Sequence, residues 1–180
     1  MLKQPCQLFV ISPKRYIRAV PDFPQQGILF RDITPLLANP VAFTYSIGEL
    51  CAHADQLDVS TIVGIESRGF LFGAAMADRL NLPFVPLRKP GKLPAERFSV
   101  KYALEYGESQ LDIHTDALSA GEVVYIVDDL LATGGTAAAA VRLVELAGGE
   151  VAGLGFLIEL EQLGGRAKIG GYETTALLSY

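Results

Sequence analysis

At 180 residues, half of them hydrophobic, the chain has enough apolar material for one substantial core and too little length for two. A formal charge of -5 and a pI near 5.0 argue against a general nucleic-acid surface, which needs a basic face. Cys6 and Cys51 are too few for a disulfide framework, so a reducing, cytoplasmic setting is expected.

The N-terminal segment MLKQPCQLFVISPKRY has a short apolar stretch broken by Pro13 and followed by charge. It reads as neither a signal peptide nor a membrane span, and no other apolar run reaches the roughly 18 residues a span requires. Lys14 to Val20 predicts the start of a helix that stops at Pro21, and Val41 to Ala54 predicts a second helix. Thr61 to Ile65 is a short β-rich run, followed by a helix over Phe70 to Leu80 and a strand over Pro83 to Leu87. Pro90, Gly91 and Pro94 then deny regular structure. Phe98, Val100, Tyr102, Leu104 and Tyr106 alternate with mostly polar residues. Leu111 and Ile113 resume the pattern past Gly107, which predicts a hairpin. Val123 to Val127, a helix over Thr136 to Ala147 stopped by Gly148-Gly149, and Val151 to Ile158 complete another β-α-β unit. Repeated β-α-β order implies a parallel sheet flanked by helices, with ligands at the carboxyl ends of its strands.

The richest segment is VVYIVDDLLATGGT, residues 123–136. An apolar, β-branched run of this kind suits a strand buried on both faces. Ala132, Thr133, Gly134, Gly135 and Thr136 are small enough for the backbone to approach an anion, and their amides would open a helix whose N-terminus favours negative charge. Asp128 and Asp129 are adjacent, and two carboxylates repel unless hydroxyl donors or a cation offset their charge. A ribose diol with magnesium nearby would do both; in isolation, such a pair more often has one acid capping a turn and the other solvated. Together the segment reads as a site for a phosphorylated sugar. Other phosphate motifs fit poorly: no lysine follows the glycines as GxxxxGK[ST] requires, and GxGxxG is absent. Gly64 to Gly69 has the six-residue glycine frame but again lacks the lysine.

A hydrophobic strand followed by DD and ATGGT resembles the phosphoribosyl pyrophosphate motif of the type I phosphoribosyltransferases. The stretches PDFPQQGILFRDITPLL, IVGIESRGFLFG, RKPGKLP and LEYG resemble the adenine phosphoribosyltransferase family in particular, and with the first motif they run from Pro21 to Thr136. The resemblance implies an α/β fold of the type I class, a mostly parallel sheet flanked by helices in a single domain over 1–180. A small N-terminal hood over 1–35 would recognise the base, and a mobile loop and hairpin over 88–115 would close on the site. The implied activity is a pentosyl transfer: the 5-phosphoribosyl group passes from phosphoribosyl pyrophosphate to N9 of adenine, giving AMP and pyrophosphate in purine salvage. Magnesium is the implied cofactor, carried by pyrophosphate and ribose with no protein ligand specified, and a homodimer is the implied assembly.

The same resemblance assigns residues. Asp128 and Asp129 would hold the ribose, with Ala132 to Thr136 on the 5′-phosphate. Glu66, Ser67 and Arg68 would meet the pyrophosphate through an unusual peptide geometry at Glu66-Ser67. On its own, Arg68 would serve equally well as a surface partner of an acid. Arg88, Lys89 and Lys92 open a loop at a strand end and would also reach the pyrophosphate, although charge runs are usually solvated. Glu105 would act as acid or base toward the purine; by alternation it faces opposite to Leu104 and Tyr106, where a strand glutamate is ordinarily inert. Phe30 would stack on adenine with Leu130 on the other face, against the ordinary fate of phenylalanine in a core. The backbone of Leu29 and Arg31 would read the adenine edge, rejecting a 6-oxo purine whose oxygen accepts where the amino group donates. His53 and His114 lie outside these motifs. Two other classes compare poorly: a regulator that binds without turnover, which would carry an added DNA-binding module, and a dinucleotide-binding enzyme, whose glycine signals are missing.

Overall fold

The structure, a computed structural model, describes residues 12–104 and 107–180. The chain divides into two compact units, Met1–Ser46 and Ile47–Tyr180, with the boundary inside one helix. Among the described residues, no helix is long and apolar enough to cross a membrane.

In the first unit the helix expected over Lys14 to Val20 is not formed. A single 3-10 turn spans Pro13–Tyr16, and Arg18–Pro21 (β1) then runs extended, antiparallel to Leu29–Asp32 (β2), in register from Arg18↔Asp32 to Pro21↔Leu29. One local effect opposes the helix: Val20 precedes Pro21, and the residue before a proline is pushed out of the helical region. The strand partner that satisfies the backbone lies eight or more residues on, outside any local pattern. The connecting turn has a cis Phe23–Pro24 peptide, and the Gly27 N–H donates to Asp22 Oδ1 at 2.8 Å. A short helix, Thr34–Ala38 (α1), follows, its first amide donating to Asp32 Oδ1 at 2.9 Å.

The second unit begins within Pro40–Asp55 (α2) and is built on Thr61–Ile65 (β3), Gly69–Leu80 (α3), Phe84–Leu87 (β4), Arg97–Leu104 (β5), Gly107–His114 (β6), Val123–Leu131 (β7), Gly135–Leu146 (α4), Glu150–Glu159 (β8) and Glu173–Ser179 (β9). Five strands form an all-parallel sheet in the order β4-β3-β7-β8-β9. β5 and β6 pair as a separate antiparallel hairpin, from Arg97↔His114 to Leu104↔Gly107. A hydrophobic core joins β3, β7 and β8 to the alanine-rich face of α4, with Ala139, Ala140, Leu143 and Val144 almost wholly buried. Phe84 fills the space between β3 and α3 that Gly64 and Gly73 leave open; a Cβ at either glycine would stand 2.6 Å from its ring.

This topology locates the site. From β3 the chain steps outward to β4, and it later returns on the other side of β3 to lay down β7, β8 and β9. The connections leaving β3 and β7 therefore diverge, opening a crevice at their carboxyl ends, where open α/β sheets bind ligands.

Candidate active site

β7 is longer than its apolar run predicts. The two aspartates do not follow the strand but belong to it, because β8 continues alongside: Asp128 pairs with Phe156, Leu130 with Ile158 and Leu131 with Glu159. Burial alternates here. Asp129 and Leu131 are buried, whereas Asp128 and Leu130 are partly exposed. A regular strand thus carries two consecutive carboxylates to the mouth of the crevice and holds both on a rigid backbone.

The electrostatics of the pair are unfavourable in the free chain. Loss of water and then the charge of Asp129 push the Asp128 carboxyl well above the usual carboxylate range. Burial raises Asp129 as well, opposed by Arg68, whose Nε lies 3.0 Å from Asp129 Oδ2. The Asp129 amide donates to Asp128 Oδ1 at 2.8 Å, further fixing the acids in relation to each other. Such a pair favours retention of a proton until hydroxyl donors or a cation arrive. Gly69 lets the start of α3 approach β7 closely: a Cβ there would lie 2.7 Å from the Val127 carbonyl oxygen and 2.9 Å from Asp128 Oδ1.

Beyond β7, Gly134 adopts φ +77° as it enters α4, a conformation that L side chains rarely take. Its contact with the next segment is backbone to backbone, since a Cβ at Gly134 would lie 2.3 Å from the Gly165 carbonyl oxygen. Across the crevice, the Glu66–Ser67 peptide at the end of β3 is cis, as the resemblance leads one to expect of its geometry. Glu66 Oε2 accepts from Arg88 Nε at 3.0 Å and from the Lys89 amide at 2.8 Å, and these bonds hold its carboxyl below its ordinary range.

These pieces enclose a cleft of about 350 Å³. Of the expected phosphoribose and pyrophosphate residues it is lined by Glu66, Ser67, Arg68, Lys89, Asp128, Asp129 and the whole of Ala132 to Thr136, together with Leu130. Two expected contributors are elsewhere. Arg88 is turned onto Glu66 and sits 5.7 Å from the centroid of the Phe70 ring, so in this state it supports the cleft without lining it. Lys92 lies exposed on its loop and is not part of the lining. Glu105 falls outside the described residues. Leu29, Phe30 and Arg31 occupy β2 of the first unit, where Phe30 meets Phe23 edge to face with centroids 5.0 Å apart. Tyr102 and Ser109 of the hairpin also line the cleft; the packing of β5 and β6 against α4 brings them there, and no local pattern shows it. Neither histidine does: His53 Nδ1 pairs with the Tyr125 hydroxyl at 2.9 Å, and His114 Nε2 accepts from the Ala95 amide at 3.4 Å.

Among the described residues no group of three or more histidine, cysteine or acidic side chains is arranged to hold a metal. The donor chemistry nonetheless fits magnesium: two hard carboxylates line the cleft and would supply oxygen ligands.

A family model for the phosphoribosyl transferase domain matches residues 45–174. An adenine phosphoribosyltransferase of Gloeobacter violaceus is 58% identical over 168 residues, 93% of this chain and 98% of that protein. The crystal structure of adenine phosphoribosyltransferase from Thermoanaerobacter pseudethanolicus superposes with a TM-score of 0.90 at 52% identity, covering 93% of this chain and 98% of that one. The enzyme from Saccharomyces cerevisiae, complexed with an imino-altritol bisphosphate and adenine, gives a TM-score of 0.88 at 42% identity, covering 92% and 96%. A sheet with its crevice between β3 and β7, matched along nearly its full length by such relatives, places the chain in the phosphoribosyltransferase family, among the adenine phosphoribosyltransferases.

Proposed function

We infer that this chain transfers the 5-phosphoribosyl group of phosphoribosyl pyrophosphate to N9 of adenine, forming AMP and releasing pyrophosphate in purine salvage. The observation that carries this reading is the single cleft in which paired carboxylates on β7 stand directly before a glycine loop that opens α4. Amides of Ala132 to Thr136 receive the 5′-phosphate at the helix N-terminus. Asp128 and Asp129 take the two ribose hydroxyls, and the diol donors lower the cost of ionising both acids. Glu66, Ser67, Arg68 and Lys89 surround the pyrophosphate, with Arg88 and Lys92 joining from the loop beyond β4. Asp128 and Asp129 would hold magnesium together with the sugar, and the bound metal would supply positive charge that eases departure of pyrophosphate.

In the reaction the C1–O bond to pyrophosphate breaks, the N9–C1 bond forms, and positive charge develops on the ribose at the transition state. The chain supplies complementary charge on both sides: the aspartates lie on the sugar side, and Arg68 and Lys89 on the leaving-group side. Arg68 is engaged with Asp129 in the free chain, so arriving pyrophosphate competes for its guanidinium as the diol takes over the acid. Glu105 exchanges the N9 proton, and closure of the hairpin excludes the water that would intercept the sugar cation. Adenine recognition falls to Phe30, to the backbone of Leu29 and Arg31, and to Leu130. β2 pairs with β1 in a two-stranded ribbon, which holds the Phe30 segment extended. The enzyme works as a homodimer in the cytoplasm.

Mixing the protein with adenine, phosphoribosyl pyrophosphate and magnesium tests the reading. AMP and pyrophosphate should appear in equal amounts, and removing the metal with a chelator should stop the reaction. Tight sugar-phosphate binding without AMP would instead mark a regulator on the same fold. A concentration-independent monomer in sedimentation would remove the dimer.

A further inference from the structure

One buried acid in the second unit has no part in the chemistry above. Glu159 is the last residue of β8, is only 7% exposed, and lies at the sheet end where the cleft opens. Its carboxylate is gripped by Arg166: Nε donates to Oε1 at 3.0 Å and Nη2 donates to Oε2, a two-pronged pairing. The third nitrogen, Nη1, donates to the Thr174 carbonyl oxygen of β9 at 2.7 Å. Arg166 is the second residue of the 3-10 turn Gly165–Ile169, so one side chain ties this turn to two sheet strands. The far end of the turn is held separately by Ile169, 2% exposed within the core.

The near end of that turn rests on the glycine loop. A Cβ at Gly165 would lie 2.1 Å from the Ala132 carbonyl oxygen and 2.8 Å from the Gly134 nitrogen, and the reciprocal Cβ at Gly134 would strike Gly165. Nothing compressible lies between the two backbones. A shift of the turn is therefore passed to Ala132 and Gly134 undiminished, because close-packed backbone atoms cannot absorb it.

An ion pair whose arginine is half exposed contributes little net stability, because water screens it. What a forked pair supplies is orientation. We propose that the Glu159–Arg166 pair is a positioning device for the phosphate loop, holding the Gly165 turn as a backstop that sets the amides of Ala132 to Thr136 at the spacing a 5′-phosphate requires. The proposal rests on the reading of that loop as the phosphate site.

The test uses the full chain with Glu159→Gln, which keeps shape but loses charge, and Arg166→Lys, which keeps charge but loses the fork. KM for phosphoribosyl pyrophosphate and Kd for ribose 5-phosphate should rise together by about tenfold, as a sub-ångström misplacement of binding groups predicts. Neither kcat nor KM for adenine should change by more than about twofold. Gly165→Ala, with the ion pair intact, should give the same split by pushing on the loop directly, and it keeps the test decisive if an ion-pair variant folds poorly. Unchanged phosphate affinity in folded Glu159→Gln and Arg166→Lys proteins would overturn the proposal. Gly134→Val separates the two ideas. If it abolishes ribose 5-phosphate binding while the ion-pair variants do not weaken it, the positioning role alone fails; if it leaves that binding intact, the phosphate-loop reading fails as well.

Discussion

At the scale of single residues, the site is made by side chains placed where they are least comfortable. Asp129 is buried and abuts another acid, and in the free chain Arg68 on its Oδ2 and hydrogen bonds to Asp128 and to the backbone offset that cost. Asp129→Asn keeps the size and most hydrogen bonding, so the fold should persist. Turnover should fall by about a hundredfold or more if, as proposed, its charge faces the developing ribose cation; initial rates of AMP formation, with circular dichroism as the folding control, check this. Gly69→Ala would drive a methyl into the Val127 carbonyl and Asp128 Oδ1, and it should lower kcat by displacing that acid. In the sequence Gly69 is only the end of a six-residue glycine frame, and nothing local shows that β7 passes directly beneath it.

At the scale of elements, the hairpin is anchored at its base by an arrangement separate from the cleft. Arg88 and Asp112 exchange two backbone hydrogen bonds, of 2.9 and 2.7 Å, joining the loop after β4 to β6. The Asp112 side chain is wholly buried. Gln110 donates to its Oδ1 at 2.7 Å, while Oδ2 has no hydrogen bond and meets Arg97 Nε only at 3.4 Å, a coulombic contact. Arg97→Met should leave that carboxylate buried without its cation and cost about 2 kcal/mol, below the usual figure for a buried pair because water reaches the arginine. A lower urea midpoint at unchanged slope would report it. Alternation alone reveals this hairpin. It does not reveal that β5 and β6 leave the main sheet, a choice set by competition among strands for neighbours.

At the scale of the whole molecule, the acid pair should shape stability in the absence of ligand. Both aspartates titrate above their ordinary values in the folded chain. Between the normal carboxylate range and those raised values, the folded form therefore binds more protons than the unfolded form. Their stabilisation is greatest at the acid end of that window and is lost as pH rises through it. Glu66 acts oppositely: with its carboxyl held low, its contribution is present at neutral pH and is lost on acidification. Asp128→Asn should consequently raise the melting temperature of the free chain at neutral pH, by about 3 °C for each kcal/mol relieved. The gain should shrink as pH falls toward the ordinary carboxylate range, where the folded acids take up their protons. Calorimetry across that range checks the sign, and a variant that melts lower at neutral pH would contradict it.

Sequence by itself determined the elements whose signal is local and strong. The buried strand at Thr61 to Ile65, the alanine-rich α4 with its glycine stop, the parallel β-α-β order and the small-residue loop after two acids all follow from composition and spacing, because burial and close anion approach each admit few residue types. Lys14 to Val20 shows the limit of that rule, as an apparent helix gave way to a strand whose partner lies beyond the local window. Only the tertiary structure decided that β7 runs on through Asp128 and Asp129, that Arg88 faces Glu66 instead of the cleft, and that Gly165 lies against Gly134. These depend on which strand, turn or charge arrives from far along the chain. Packing and ion pairing reward proximity in space, and no local pattern encodes that proximity.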